Sequence, residues 1–138
     1  MISFGNTLLY TRIANEIYRS SLDIRFGILH NSSKRAESLN LDIADLFKPV
    51  LIDRTIFTLV NRNMLGVSTD FRSMDGGGVY LSESGKRTFI KELERKLYQS
   101  VKTGNGSKTY EQLIRDEVRN LCAYFRNGKD YKPYRYVN

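Results

Sequence analysis

The chain has 138 residues, of which 41% are hydrophobic and 27% charged, and its formal net charge is +7. This length suits one domain with a real core, and the composition excludes a disordered polymer. No apolar run approaches the ~20 residues that cross a bilayer, and no charged-then-apolar leader is present. No membrane role is therefore expected, and the expected compartment is the cytoplasm.

The lone cysteine, Cys122, lies in an apolar pattern and reads as a small core residue in a reducing compartment. The positive charge is uneven. Residues 1–70 hold 8 Lys/Arg against 7 Asp/Glu, and residues 71–138 hold 14 against 8. A basic surface favours polyanions through Coulomb attraction and counterion release. Composition alone does not choose among DNA, RNA, an acidic protein and plain solubility.

From the N-terminus, Asn6 to Leu22 spaces Leu9, Ile13 and Ile17 as one helical face. Asp23 to Glu37 reads as irregular. A long helix follows from about Ser38 to Asn63, with Pro49 inside it. Proline has no N–H to donate and its ring displaces the carbonyl four residues back, that of Asp45, so a kink is expected there. Met64 to Gly78 reads as a flexible loop ending in the Gly-rich "MDGGG", and Val79-Tyr80-Leu81 as a short extended piece. Ser82 is a good N-cap, with Glu83 favourable in the first turn. The helix behind it buries Phe89, Ile90, Leu93, Leu97 and Val101. "TGNGS" is a turn, and Thr109 with Gln112 forms a capping box. The last helix has the stripe Tyr110, Leu113/Ile114, Val118, Leu121/Cys122 and Phe125. Residues 128–138 form an aperiodic tail. The expected fold is a single all-α domain over 1–138: a bundle of four or five helices, a central Pro-kinked helix and a flexible Gly-rich loop.

Two acids on the central helix raise a question. Asp42 and Asp45, three residues apart, share a helix face. Their neighbours Leu39, Leu41, Ile43, Ala44, Leu46, Phe47, Val50 and Leu51 are apolar nearly all round. Carboxylates there would lose hydration and repel each other, so a proton, a nearby cation or a divalent metal is expected to compensate them. Lys48 stands one turn on; Lys34, Arg35 and the chain's sole histidine, His30, precede the helix. Spacing alone favours the plainer reading, local caps or salt bridges and an ordinary loop histidine. One imidazole with carboxylates suits manganese or magnesium better than a closed zinc cage.

The order "ISFGNTLLY", "GILHNSSKRAESLNLDIADLFKPVLIDR", "GVYLSESGKRTFIKELERKL", "YEQLIRDEVRNL", "DYKPY" resembles the C-terminal helical domain of the CRISPR-associated adaptation integrase, over essentially the whole chain. The resemblance implies a metal-dependent DNA endonuclease and integrase that inserts spacers into the repeat array. It places the family's ligand histidine on His30 and its ligand aspartate on Asp45, with Mn2+ or Mg2+ as the metal. Asp42 falls on the acidic residue of the same motif, either binding a second metal transiently or orienting a group on the first. The family's third ligand, a glutamate, lies upstream of Met1; Glu16 is in the wrong segment. The N-terminal β-rich domain is not matched either, so a fragment inactive alone is expected.

The implied reaction is phosphoryl transfer, with catalytic candidates His30, Asp42 and Asp45. Lys34, Arg35 and Lys48, and further along Arg87 and Lys91, are candidate phosphate contacts, for each of which a solvated surface role has equal standing. The implied partners are DNA (a double-stranded prespacer and the repeat), the small companion subunit of the adaptation complex, and a second copy in the intact parent. Tyr131, Tyr134 and Tyr136, interleaved with Lys132 and Arg135, either stack on DNA or dock the terminus onto its own domain. The competing function is a basic helical module that binds nucleic acid or protein without chemistry.

Overall fold

The computed structural model describes residues 1–19, 42–73, 76–104 and 106–127, with the backbone alone for Tyr18 and residues 122–127. Helix α1 (Ile2–Arg19) starts four residues earlier than its periodicity predicts and buries Leu9, Ile13 and Ile17. The long central rod comprises α2 (residues 42–48), a π-helical stretch Pro49–Asp53 and α3 (Arg54–Asn61). The widened register begins at the proline. With no N–H at Pro49 the α ladder loses a rung, and the backbone answers by inserting a residue into the turn. Thr55, fully buried, back-bonds its hydroxyl to the Leu51 carbonyl at 2.5 Å, giving that turn a polar partner.

α3 ends in a Schellman closure. Asn63 takes φ 52°, the Met64 amide donates to the Leu59 carbonyl at 2.9 Å, and the Asn63 amide to that of Val60 at 3.2 Å. Asparagine tolerates this left-handed position better than most residues with a side chain.

Two antiparallel hairpins correct the all-α expectation. Strand β1 (Phe71–Ser73) pairs with β2 (Val79–Leu81) in the register Phe71↔Leu81, Arg72↔Tyr80, Ser73↔Val79. Strand β3 (Ser100–Thr103) pairs with β4 (Gly106–Thr109), Ser100 opposite Thr109 and Thr103 opposite Gly106. Both are short and mostly exposed, so neither carries the apolar alternation that marks a strand in sequence. Part of the expected 64–78 loop is thus drawn into a strand; Met74 and Asp75 lie outside the described residues, as do Asn105 and the 128–138 tail.

α4 (Glu83–Leu97) is capped by Ser82, whose hydroxyl accepts from the Gly85 amide at 3.2 Å. α5 (Tyr110–Asn127) opens with the predicted capping box: the Thr109 amide donates to Gln112 Oε1 at 2.9 Å and the Gln112 amide to Thr109 Oγ1 at 3.2 Å. The core gathers one stripe from each helix: Ile13 and Ile17 of α1, Phe47, Leu51 and Leu59 of the rod, Phe89 and Leu97 of α4, and Ile114 and Val118 of α5. Of the predicted α4 stripe, Ile90 is exposed and Val101, in β3, is half-buried. Gly5 lets α1 approach: a Cβ there would meet Phe89 at 2.8 Å and Ile52 at 2.9 Å. Phe4 then rests edge-on against Phe89, with ring centroids 5.5 Å apart. Ion pairs cross the same contacts. Glu16, half-buried, receives Arg115 of α5 at 3.5 Å, which gives this acid a structural post.

Candidate metal and nucleic-acid site

The rod has a wet side after all. Ile43, Ala44, Phe47, Val50, Leu51 and Ile52 are buried, while Asp42, Asp45, Pro49 and Asp53 are exposed. Those four positions recur at spacings of three to four, so they form a single outward stripe. The expectation that Asp42 and Asp45 are dehydrated is therefore corrected. Apolar neighbours in sequence occupied the other faces, and the Asp45 side chain is 66% exposed.

Lys48 connects this stripe to α1. Its ammonium lies 3.0 Å from Asp45 Oδ1 and 5.0 Å from the Tyr10 ring centroid. The Tyr10 hydroxyl, accepting from it, and then Asp45 hold the ammonium above the ordinary lysine range, against the smaller opposing effect of burial. The acids present hard oxygen donors to solvent, and one of them already draws a cation. That chemistry fits magnesium or manganese. Among the described residues no three His, Cys, Asp or Glu side chains converge. His30, the imidazole of the expected set, lies outside the described residues, as do Lys34 and Arg35.

Arg87 and Lys91 are exposed one turn apart on α4. Lys91 also lines an open groove of about 880 Å³ between the end of the rod and α4, with Arg62, Met64, Thr88, Arg95 and Tyr98. At its base sits Glu92, 4% exposed and missed by the sequence reading. The Arg95 guanidinium grips both its oxygens, at 3.2 and 3.1 Å from Nε and 2.8 Å from Nη2. This bidentate contact holds the Glu92 carboxyl below its usual range despite burial. Crowding is visible in Lys96: burial pushes its ammonium down and Arg95, Arg54 and Arg62 add to that, with Glu92 opposing. The i,i+3 spacing of Glu92 and Arg95 was legible, but which side of α4 faces the rod was not.

Asp70 forms a different kind of cluster. It accepts from the Gly66 amide at 2.6 Å and from the Ser84 hydroxyl at 2.7 Å, and these bonds hold its carboxyl below the usual range. Ser82 donates to the Thr69 carbonyl at 2.7 Å, and the Ser84 oxygen lies 3.0 Å from the same carbonyl. The Ser82 amide donates to the Asp70 carbonyl at 2.9 Å. Gly85 closes the knot, since a Cβ there would lie 2.2 Å from the Asp70 carbonyl oxygen. The glycine of the "LSESGK" segment is thus required by packing of the hairpin against α4.

Residues 1–95 match the family model described as CRISPR associated protein Cas1. The chain is 42% identical over 135 residues to the CRISPR-associated endonuclease Cas1 of Clostridium perfringens, covering 96% of this chain and 40% of that protein. A second relative of that name, from Thermodesulfovibrio yellowstonii, is 39% identical over 137 residues, 98% of this chain and 42% of its own. The chain therefore spans about 40% of the length of the curated relatives it matches. Among solved structures, the Cas1 protein of Thermotoga maritima superposes with a TM-score of 0.78 at 38% identity, covering 91% of this chain and 39% of that one. A casposase bound to an integration product shares the fold, with a TM-score of 0.80 at 24% identity over 99% of this chain and 40% of that one. With the family model matching residues 1–95 and a relative 42% identical aligned along 96% of this chain, the chain belongs to the Cas1 family of CRISPR-associated proteins.

Proposed function

We propose that this chain is the helical catalytic portion of a CRISPR adaptation integrase, a metal-dependent DNA endonuclease and strand-transfer domain. The observation that carries the reading is the alignment of relatives named as endonucleases along 96% or more of the chain. Asp45, exposed at the solvent face of the rod, offers an anionic oxygen, and His30 offers a neutral imidazole, for Mn2+ or Mg2+. Asp42, three residues before Asp45 on the same exposed face, is a second acid. A divalent ion in such a site supplies Lewis-acid polarisation of the phosphoryl oxygen and eases loss of the nucleophile's proton.

The chain's own residues then orient the substrate. Lys34, Arg35 and Lys48 meet phosphates near the site, and Arg87 and Lys91 meet them further along the basic half; these contacts set register without reading bases. A DNA 3′-hydroxyl attacks a phosphodiester at the repeat edge, forming a new P–O bond as the 3′-oxygen of the repeat strand leaves; nicking uses water instead. The partners on this reading are a prespacer duplex, the repeat, the small companion subunit and a second copy in the intact protein, all in the cytoplasm. Among the described residues no helix is long and apolar enough to cross a membrane.

The test is a chimera carrying this chain in place of the matching segment of the Clostridium perfringens relative. With Mn2+ it should join a short duplex to a repeat-bearing plasmid, and a chelator should abolish joining. His30→Ala and Asp45→Ala should each lower the rate at least about 100-fold. Joining that survives both substitutions would overturn the assignment. The exposure of Asp45 and its pairing with Lys48 also suit a surface carboxylate on a non-catalytic basic module. That second reading expects salt-sensitive DNA binding indifferent to both residues.

A further inference from the structure

In the segment "ISFGNTLLY", Phe4, Gly5 and Leu9 serve packing, whereas the last residue, Tyr10, meets Lys48. Tyr10 is half-buried on α1, beside the fully buried Leu9. It touches Lys48, the cation three residues beyond Asp45. We propose that Tyr10 is a positioning residue of this site: its ring and hydroxyl hold the Lys48 ammonium beside Asp45, aimed at a phosphodiester oxygen of bound DNA. The inference rests on the reading of Asp45 as a metal ligand.

A lone ion pair between a lysine and an exposed aspartate fixes little. Its Coulomb attraction is screened, and the lysine stem has rotamer freedom to lose. A second anchor from another helix changes that. The ammonium has three donors in a tetrahedral fan. Asp45 takes one at 3.0 Å, and Tyr10 flanks another, its ring centroid 5.0 Å from the ammonium. The remaining donor is available to an incoming acceptor, and the Lys48 side chain keeps 26% of its surface exposed. When Asp45 turns its oxygens to a divalent ion, a lysine held by Asp45 alone would drift into solvent. Tyr10, seated on a helix fastened by Leu9, Ile13 and Ile17, keeps the ammonium at the rim.

The test is a double-mutant cycle on the full chain, read by fluorescence anisotropy with a 20-base-pair duplex in Mg2+ across a salt series. Lys48→Met should weaken binding about fivefold and reduce the salt slope by about one. Tyr10→Phe, which changes no charge and keeps the ring, should weaken binding about twofold and lower part of the same slope. In the Lys48→Met background Tyr10→Phe should have no further effect. Tyr10→Leu should exceed Tyr10→Phe in the wild-type background and vanish likewise in the other. A merely structural tyrosine would weaken binding equally in both backgrounds without moving the salt slope, and that result would overturn the proposal. So would an unchanged affinity and slope for Lys48→Met. The underlying site reading is tested separately by Mn2+ binding in electron paramagnetic resonance, which Asp45→Asn should abolish. Unaltered Mn2+ binding in Asp45→Asn would remove the metal site while leaving any Tyr10–Lys48 coupling measured on DNA intact.

Discussion

Asp45 and Asp70 are both exposed or nearly so, and both are held by partners, yet they are built for opposite ends. Asp70 is bound by a backbone amide and a serine hydroxyl, inside a cluster sealed by a glycine. Its donors belong to the fold and cannot leave without unlocking the hairpin from α4. Asp45 is met by an ammonium on a long stem. That contact can open without disturbing any backbone bond, and on the proposed reading a metal takes its place. An acid satisfied by fixed neutral donors is structural; one satisfied by a tethered cation stays open to exchange.

The sharpest way to break the contrast is Gly85→Ala. A methyl group placed 2.2 Å from the Asp70 carbonyl oxygen forces α4 and the 66–70 turn apart. The expected loss is about 3 kcal/mol in urea unfolding. A loss below about 0.5 kcal/mol would mean the turn is not locked. Next comes Ser82→Ala, which removes both the N-cap of α4 and a donor to the Thr69 carbonyl. It should cost about 1–2 kcal/mol in the same measurement.

Acid titration sharpens the comparison further. Asp70 and Glu92 have carboxyls lowered by folding. Each therefore stabilises the native state fully above the unfolded carboxylate range, and that contribution drains as pH falls through the folded values. Thermal unfolding between pH 7 and pH 2 should show a falling midpoint below about pH 4.5, flattened in Asp70→Asn. Lys48 runs the other way. Its raised ammonium contributes below the ordinary lysine range and is lost only as strongly alkaline pH passes the folded value, so it adds nothing to the acid limb. The smallest effect on stability belongs to Asp45→Asn, within about 0.5 kcal/mol of wild type because it breaks one exposed pair. On the proposed reading, its expected effect is loss of Mn2+ binding. A large destabilisation would place Asp45 in the structural class with Asp70.

Helices and their ends were legible in the sequence because they are local. Ser82 and the Thr109–Gln112 box cap where their side chains predict, and the described stripe residues of α1, α4 and α5 face inward as spaced, except for Ile90, which is exposed, and Val101, which lies in β3; the Cys122 and Phe125 side chains lie outside the described residues. Val79-Tyr80-Leu81 was legible as an extended piece and "TGNGS" as a turn, but the strand pairings were not. β1 and β4 hold no buried residue, so no alternation announced them. The π stretch had its cause in Pro49, but its form needed the turn that Thr55 and Leu51 complete.

The candidate site divides along the same line. Chain order alone determined the family resemblance, the acidic pair at i and i+3, and the lysine one turn on, since covalent spacing on a helix fixes which residues share a face. Only the tertiary structure decided that this face is wet, that Glu92 is buried under Arg95, and that Tyr10 of α1 reaches Lys48. Burial and cross-helix contact depend on which surfaces the other elements cover, and residues distant in the chain settle that.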